Sequence, residues 1–134
     1  LILTLVLVLG FAPFAAAQDA RAANGIQDTI SSQMEAFKAD DFAKAFEFAA
    51  PNIKNMFGSP ERFGMKVRNG YPIVHRPADV QYLELLELSG RIWQKVQVRD
   101  AQGTFHYLDY LMIETAEGWQ IGAVQFLPAP DIGV

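Results

Sequence analysis

The sequence predicts an α+β domain: three N-terminal helices packed on a curved, four-stranded antiparallel sheet. Two observations support this fold class. Through the first half of the chain, apolar residues recur at three- and four-residue spacing, which is typical of amphipathic helices. From about residue 80 onward, apolar and polar residues alternate between short turn sequences, which is typical of antiparallel strands. Helices gathered on one face of such a sheet make an α+β domain.

The N-terminus has the pattern of a signal peptide. Residues 1–14 are apolar apart from Thr4, and three alanines follow at residues 15–17. An apolar run followed by a small-residue cleavage site is typical of export. We therefore expect a signal peptide over residues 1–17, a leader over 18–25, and a periplasmic or secreted protein. A membrane anchor is the alternative, but the run is shorter than the ~20 residues that span a bilayer, so no stable anchor is expected after cleavage.

Composition excludes several classes of function. The chain has 134 residues, with 11 basic and 15 acidic residues and no cysteine. No basic run interleaves with aromatic residues, so nucleic acid is not an expected partner. Without cysteine there are no disulfides, thiolate zinc sites or cysteine nucleophiles. No phosphate loop or metalloprotease motif occurs. The two histidines, His75 and His106, lie too far apart in the sequence to predict a metal site. We expect no cofactor and no metal.

The first predicted helix covers residues 25–39. Asn24 is its expected N-cap, with Gln27 as the partner of a capping box. Asp40 and Asp41 then interrupt the apolar pattern. An acidic pair also suggests a metal site, but carboxylates at a helix start commonly accept free backbone N–H groups. We expect a cap.

Two more helices are predicted before the strands begin. The second is short and stops before Pro51, because the residue before proline disfavours the helical conformation. The third covers residues 60–69, with Ser59 as N-cap, proline at the first helical position and Gly70 as C-terminal cap. Residues 71–77 are expected to form a crossing loop.

The strand registers follow from the predicted turns. A three-residue loop ending at Gly118 would pair Thr115 with Trp119, since glycine tolerates the left-handed region. A four-residue loop over residues 100–103 would pair Arg99 with Thr104. The predicted inner face is then formed by Ile92, Val96, Val98, Phe105, Tyr107, Leu111, Ile113, Trp119, Ile121 and Leu127.

These registers also predict a polar row on that face. Asp109 would lie between Gln94 and Gln125, with Tyr107 nearby and Glu84 joining from the first strand. Burying a carboxylate is costly unless it is hydrogen-bonded or neutralised. The five residues therefore suggest a pocket that binds a polar group, with Asp109 as a base. The alternative is a self-satisfied buried network without a function.

The predicted outer face is unusually apolar. It carries the candidate interface residues Trp93, Tyr110, Leu108, Val124 and Phe126. Exposed apolar patches often mark a protein interface, so we expect a homodimer through the sheet. The alternative is that the tail, residues 129–134, or the loop around Tyr71 covers this face.

The sequence resembles a known superfamily of cone-shaped domains, that of nuclear transport factor two and the ketosteroid isomerases. The similar segments are IQDTISSQMEAFKADDFAKAFEFAAP and GWQIGAVQFLP, and the resemblance covers residues 26–128. The segment FAAPNIKNMFGSPERFGMKVRNGYP further resembles an exported proteobacterial family of unknown function. The resemblance implies a curved sheet around a conical cavity, often with dimerisation. The isomerase constellation of a general-base Asp with a Tyr and a protonated Asp does not match here, so no catalytic residue is carried over.

Three functions remain open at this level. The leading expectation is a non-enzymatic module that binds a small apolar or amphipathic ligand, or a protein. An isomerase- or hydratase-like enzyme using Asp109 as a base is the alternative. A purely structural dimerisation domain is the third.

Overall fold

The computed structural model describes residues 14–128, with side chains from Ala20 onward. It is an α+β fold of five helices followed by four strands. The helices are α1 (Phe14–Lys38), α2 (Phe42–Glu47), α3 (Pro51–Phe57), α4 (Pro60–Gly70) and α5 (Pro72–His75). The strands are β1 (Asp79–Leu88), β2 (Arg91–Arg99), β3 (Phe105–Thr115) and β4 (Gly118–Leu127). They form one antiparallel sheet in the order β1-β2-β3-β4. The predicted fold class is confirmed at this level, but five helices replace the predicted three.

Helix α1 begins well before its predicted start. It runs unbroken from Phe14 through Asn24, so the predicted N-cap and capping box are wrong. Residues 15–23 are rich in alanine, the strongest helix former, which lets the helix continue toward the N-terminus. The signal peptide falls largely outside the described residues, and cleavage after Ala17 stays a prediction. No helix among residues 14–128 is both long enough and apolar enough to cross a membrane.

The acidic pair after α1 reverses the chain. Asp40 adopts the left-handed region at φ 53°. Asp41 is the N-cap of α2, and its carboxylate accepts a hydrogen bond from the Lys44 N–H at 3.2 Å. The predicted cap is therefore confirmed. Ser59 caps α4 in the same way, with its hydroxyl oxygen accepting from the Arg62 N–H at 3.3 Å.

The predicted β2–β3 register is wrong by one residue. Arg99 pairs with Phe105 instead of Thr104, and Gln94 pairs with Tyr110 instead of Asp109. The carboxylate of Asp100 accepts the Thr104 N–H at 2.9 Å, which draws Thr104 into the loop. The loop closes one residue later than predicted. Because strand side chains alternate between faces, this slip exchanges the two faces of β3.

The β3–β4 register is partly right. Asp109 pairs with Gln125 as predicted, and Tyr107 with Leu127. Nearer the turn a β-bulge at Gly122 shifts the pairing, so that Thr115 pairs with Gly118, not Trp119. Gly118 has a positive φ of 99°, as predicted for the end of the turn. A Cβ on Gly122 would lie 2.5 Å from Ile113 Cδ1, so glycine permits this close approach.

A second bulge lies in β1 between Tyr82 and Leu85. Val80 and Tyr82 pair with buried residues of β2, as expected for an inner face. Beyond the bulge, Leu86 pairs with Trp93, and Leu88 is 57% exposed. The residues of β1 from Leu85 to Leu88 are therefore exposed, because a bulge changes which side chains point inward.

The core lies between the helices and one face of the sheet. Of the predicted inner face, Val96, Val98 and Ile121 are buried, whereas β3 contributes Leu108, Tyr110 and Met112 in place of the four predicted residues. Helix α1 supplies Ile26, Ile30, Met34 and Phe37 to the same cluster. Phe105, predicted to be buried, is 51% exposed. The resemblance implies that the sheet curves into a cone, and this curvature stays a prediction.

Candidate functional site

The outer edge of β4 and the helices enclose an apolar cavity of about 290 Å³. Its walls come from α1, α3, α4, the α4–α5 junction and β4. The apolar lining residues are Phe37, Ala49, Ile53, Met56, Phe57, Phe63, Val67, Tyr71, Val74, Ile121, Gly122, Ala123 and Val124. Three polar residues, Gln33, Asn52 and Lys66, complete the lining. The cavity opens to the surface on one side, where Met56 is 70% exposed.

Helix α3 is fixed beside β4 by hydrogen bonds to the strand's free edge. The Ala50 N–H donates to the Ile121 carbonyl at 2.8 Å, and the Ile121 N–H donates to the Phe48 carbonyl at 2.8 Å. The Asn52 amide donates to the Gly122 carbonyl at 2.9 Å, at the bulge. These bonds satisfy backbone groups that an edge strand otherwise leaves unpaired. They also set the distance between α3 and β4, and hence one dimension of the cavity.

An aromatic cluster forms the inner end of the cavity. Phe63 on α4 lies at its centre, with ring centroids 5.6 Å from Phe37, 5.4 Å from Phe46 and 5.5 Å from Phe57. Such tilted and edge-on pairs at this spacing are favourable contacts. The rings therefore form a packed wall of the cavity.

A charged network holds α5 against the turn between α1 and α2. Asp40 Oδ1 lies 2.7 Å from His75 Nε2, and its other oxygen lies 2.9 Å from Arg76 Nη2. The hydrogen bond from His75, and then the charge of Arg76, hold the pKa of Asp40 below its usual range. His75 is itself buried, beside Val74 in the cavity wall. The network therefore supports the wall from behind without entering the cavity.

The structure separates Gln94 from the other four predicted pocket residues. Gln94 points to the buried side, where its amide donates to the Leu83 carbonyl at 3.1 Å. Asp109 lies on the opposite face, between Lys95 and Gln125. The predicted Asp109–Gln125 pair is therefore confirmed, whereas Gln94 does not belong to the row, because the β2–β3 register differs by one residue. None of the five lines the apolar cavity.

The polar residues of the opposite face have their own partners. Glu84 forms a salt bridge to Lys95 at 2.8 Å, and Tyr107 donates a hydrogen bond to Gln97 at 3.1 Å. Partial burial raises the pKa of Asp109, and the nearby Lys95 charge opposes that rise. Because Asp109 does not line the cavity, this raised pKa gives no support to a role there as a base.

Four of the five candidate interface residues stay together as predicted, in the pairs Leu108–Phe126 and Tyr110–Val124, but on the face that packs against the helices. Leu108 and Tyr110 are fully buried against the helices, and Val124 packs on the same core. Phe126 is 49% exposed and stacks on Tyr71, with ring centroids 5.3 Å apart. Trp93 lies on the opposite face, paired with Leu111. The register slip again explains the error. Dimerisation through the sheet was not tested and stays a prediction.

Two neighbouring core groups are buried without a hydrogen-bond partner among the described residues: the Gln94 amide oxygen and the Tyr110 hydroxyl. Burial raises the pKa of the Tyr110 phenol above its ordinary value of 10.0. The folded protein therefore holds this proton more tightly than the unfolded chain does. Stability from this group is complete below pH 10 and falls as the pH rises further.

We expect this loss to appear in denaturation experiments. The free energy of unfolding should fall by about 1.4 kcal/mol per pH unit above about pH 10. Tyr110→Phe should remove this contribution, and at neutral pH it should be at least as stable as wild type, because an unpartnered buried hydroxyl is gone. Urea denaturation between about pH 8 and pH 11 measures both effects. An equally steep alkaline loss in Tyr110→Phe would contradict the assignment.

The cavity residues were not among the predicted site residues. A usable signal was present: Ile53, Met56 and Phe57 on α3, and Phe63 and Val67 on α4, recur at three- and four-residue spacing. Such stripes show that two short helices each have an apolar side. They do not show that the two sides would leave a space between them. No group of three or more His, Asp or Glu residues among the described residues is arranged to hold a metal ion.

Comparison with known proteins identifies a family for this chain. A family model described as a domain of unknown function, DUF4864, matches residues 19–134. No curated protein and no solved structure matches the chain. The match covers all five helices except the start of α1, and all four strands.

Proposed function

We propose a ligand-binding role for this chain, which belongs to the DUF4864 family of domains of unknown function. The ligand is a small apolar or amphipathic molecule, and it occupies the cavity between α3, α4 and β4. The observation that carries the proposal is the cavity of about 290 Å³, lined almost entirely by apolar side chains.

The size and lining of the cavity support this role. Protein interiors are close-packed and contain few voids larger than a water molecule. Small-molecule sites are typically apolar, hold a few polar groups, and begin at about 300 Å³. An apolar void of about 150 Å³ accommodates benzene, so this cavity suits a ligand roughly twice that size.

The polar lining supports orientation of the ligand. Gln33 donates its amide hydrogen to the Ala45 carbonyl at 3.2 Å, and Asn52 donates to the Gly122 carbonyl. Both amide groups are thus held in place by backbone acceptors. A few fixed polar groups in an apolar site are what give a small ligand its orientation.

The neutral fluorescent probe N-phenylnaphthylamine tests the proposal. Wild type should bind it saturably. Val67→Phe places a ring in the cavity and should weaken binding at least about tenfold, which corresponds to about 1.4 kcal/mol. Met65→Phe is the matched control, because it adds the same ring to the same helix at a residue that is 48% exposed. It should bind the probe as wild type does.

Two results would overturn the proposal. One is the absence of saturable binding to folded wild type. The other is equal binding by wild type and a folded Val67→Phe variant. Thermal denaturation of both variants establishes that they are folded.

A further inference from the structure

We infer that the ligand of this cavity is an amphiphile with an acidic head group, held at the rim by Lys66. The inference rests on the proposed function and adds the chemical class of the ligand. The tail would occupy the apolar cavity. The head would remain at the opening, within reach of the Lys66 ammonium group.

Among the described residues that line the cavity, Lys66 carries a charge and the others are neutral. It lies on α4 between Phe63 and Val67, so its apolar stem shares the side of the helix that faces the cavity. The residue as a whole is exposed. Lysine side chains commonly lie along apolar surface while the ammonium group stays in water. No salt bridge among the described residues involves Lys66, so its charge is available at the rim.

The distribution of charged residues in the helices beside the cavity also favours an acidic ligand. Residues 51–76, which form α3, α4 and α5, carry five basic residues and a single acidic one, Glu61. The whole chain has more acidic than basic residues, 15 against 11. Arg76 is paired with Asp40, and the other four basic residues still outnumber Glu61, so the helical wall is a basic region on an acidic protein. Such a region attracts anions and raises their local concentration.

The lining contains no acidic side chain to neutralise Lys66 or to repel an anion. A neutral apolar ligand would fill the cavity but leave this cation unused. A cationic amphiphile would place like charges together at the rim, which is unfavourable. An amphiphile with an acidic head group fills the cavity with its tail and pairs its charge with that of Lys66.

Octanoate and octanol separate the two parts of the inference, because they share one tail and differ in head-group charge. Displacement of N-phenylnaphthylamine at low ionic strength measures both affinities. Wild type should bind octanoate about fivefold more tightly than octanol, the size expected for a partly exposed ion pair. Added salt should reduce this preference, because exposed charges are screened.

Variants at the rim assign the preference to one residue. Lys66→Gln should remove the preference for octanoate, and Lys66→Glu should reverse it, while octanol binding stays close to that of wild type. Arg91→Glu is the matched control, because it makes the same change in net charge at the exposed β1–β2 turn, away from the cavity. It should keep the preference.

The outcomes distinguish failure of the inference from failure of the proposed function. If N-phenylnaphthylamine itself does not bind, the proposed function is wrong and the inference falls with it. If the probe binds but neither compound displaces it, the proposed function stands and the inferred class of ligand is wrong. If both bind wild type equally, the cavity binds ligands but the acidic head group is wrong. If Lys66→Gln keeps the wild-type preference, the role of Lys66 is wrong.

Discussion

Phe63→Ala should lower the free energy of unfolding by about 3–5 kcal/mol, the usual cost of truncating a buried phenylalanine. The side chain is 7% exposed and contacts three other phenylalanine rings. Its removal would enlarge the existing cavity, so the surrounding rings would have less to pack against. Small domains are stable by only about 5–15 kcal/mol, so this loss is a large fraction of the total.

Urea denaturation of wild type and variant measures the difference. Met65→Ala is the control, because it truncates an exposed residue of the same helix and should change stability by no more than about 0.5 kcal/mol. A loss below about 1 kcal/mol for Phe63→Ala would mean that the ring cluster does not hold α4 in place.

Gly64→Ala should destabilise the protein although it improves helix propensity. Glycine within a helix costs about 1 kcal/mol relative to alanine, so alanine would be favoured if the site had room. A Cβ on Gly64 would lie 2.2 Å from Phe42 Cγ. Overpacking of this kind typically costs about 1–3 kcal/mol. Because the contact is with three atoms of one ring, we expect the steric cost to exceed the propensity gain and the melting temperature to fall.

Two variants control this experiment. Gly70→Ala lies at the end of the same helix, where the nearest atom to a new Cβ is Lys66 Cε at 4.0 Å. It should be neutral or slightly stabilising. Phe42→Ala removes the three ring atoms that clash, so Gly64→Ala should cost less in that background, which a double-mutant cycle measures. Equal costs in the two backgrounds would show that Phe42 is not the cause.

Local sequence signals predicted part of the fold. The order of helices and strands, the caps at Asp41 and Ser59, and the alternation of β2 all follow from short-range patterns. Caps and turns depend on a few neighbouring residues, which is why the sequence shows them directly. The start of α1 differs from the prediction because the alanine-rich stretch before Asn24 favours a longer helix than the capping-box pattern indicates.

The face of β3 was decided by a side chain in the preceding loop. Both faces of this strand are apolar, so its alternation does not strongly select either one. Asp100 captures the Thr104 N–H and moves the pairing by one residue. One local signal favoured the face that is buried in the structure. That face carries Leu108, Tyr110 and Met112, whereas the opposite face carries the charged Asp109 between Tyr107 and Leu111. The predicted pocket and interface both depended on this register, and each lost its β2 member, Gln94 or Trp93, while the β3–β4 pairs stayed as predicted.

The sequence by itself determined an α+β domain whose helices precede an antiparallel sheet, because hydrophobic periodicity is a property of each segment alone. The tertiary structure decided where an apolar space remains. That space depends on how far α3 and α4 lie from the edge of β4. Hydrogen bonds from Ala50 and Asn52 to the strand fix this distance. Contacts between residues about 70 positions apart leave no periodic signal in the chain. The candidate site therefore became visible only when the helices were placed against the sheet.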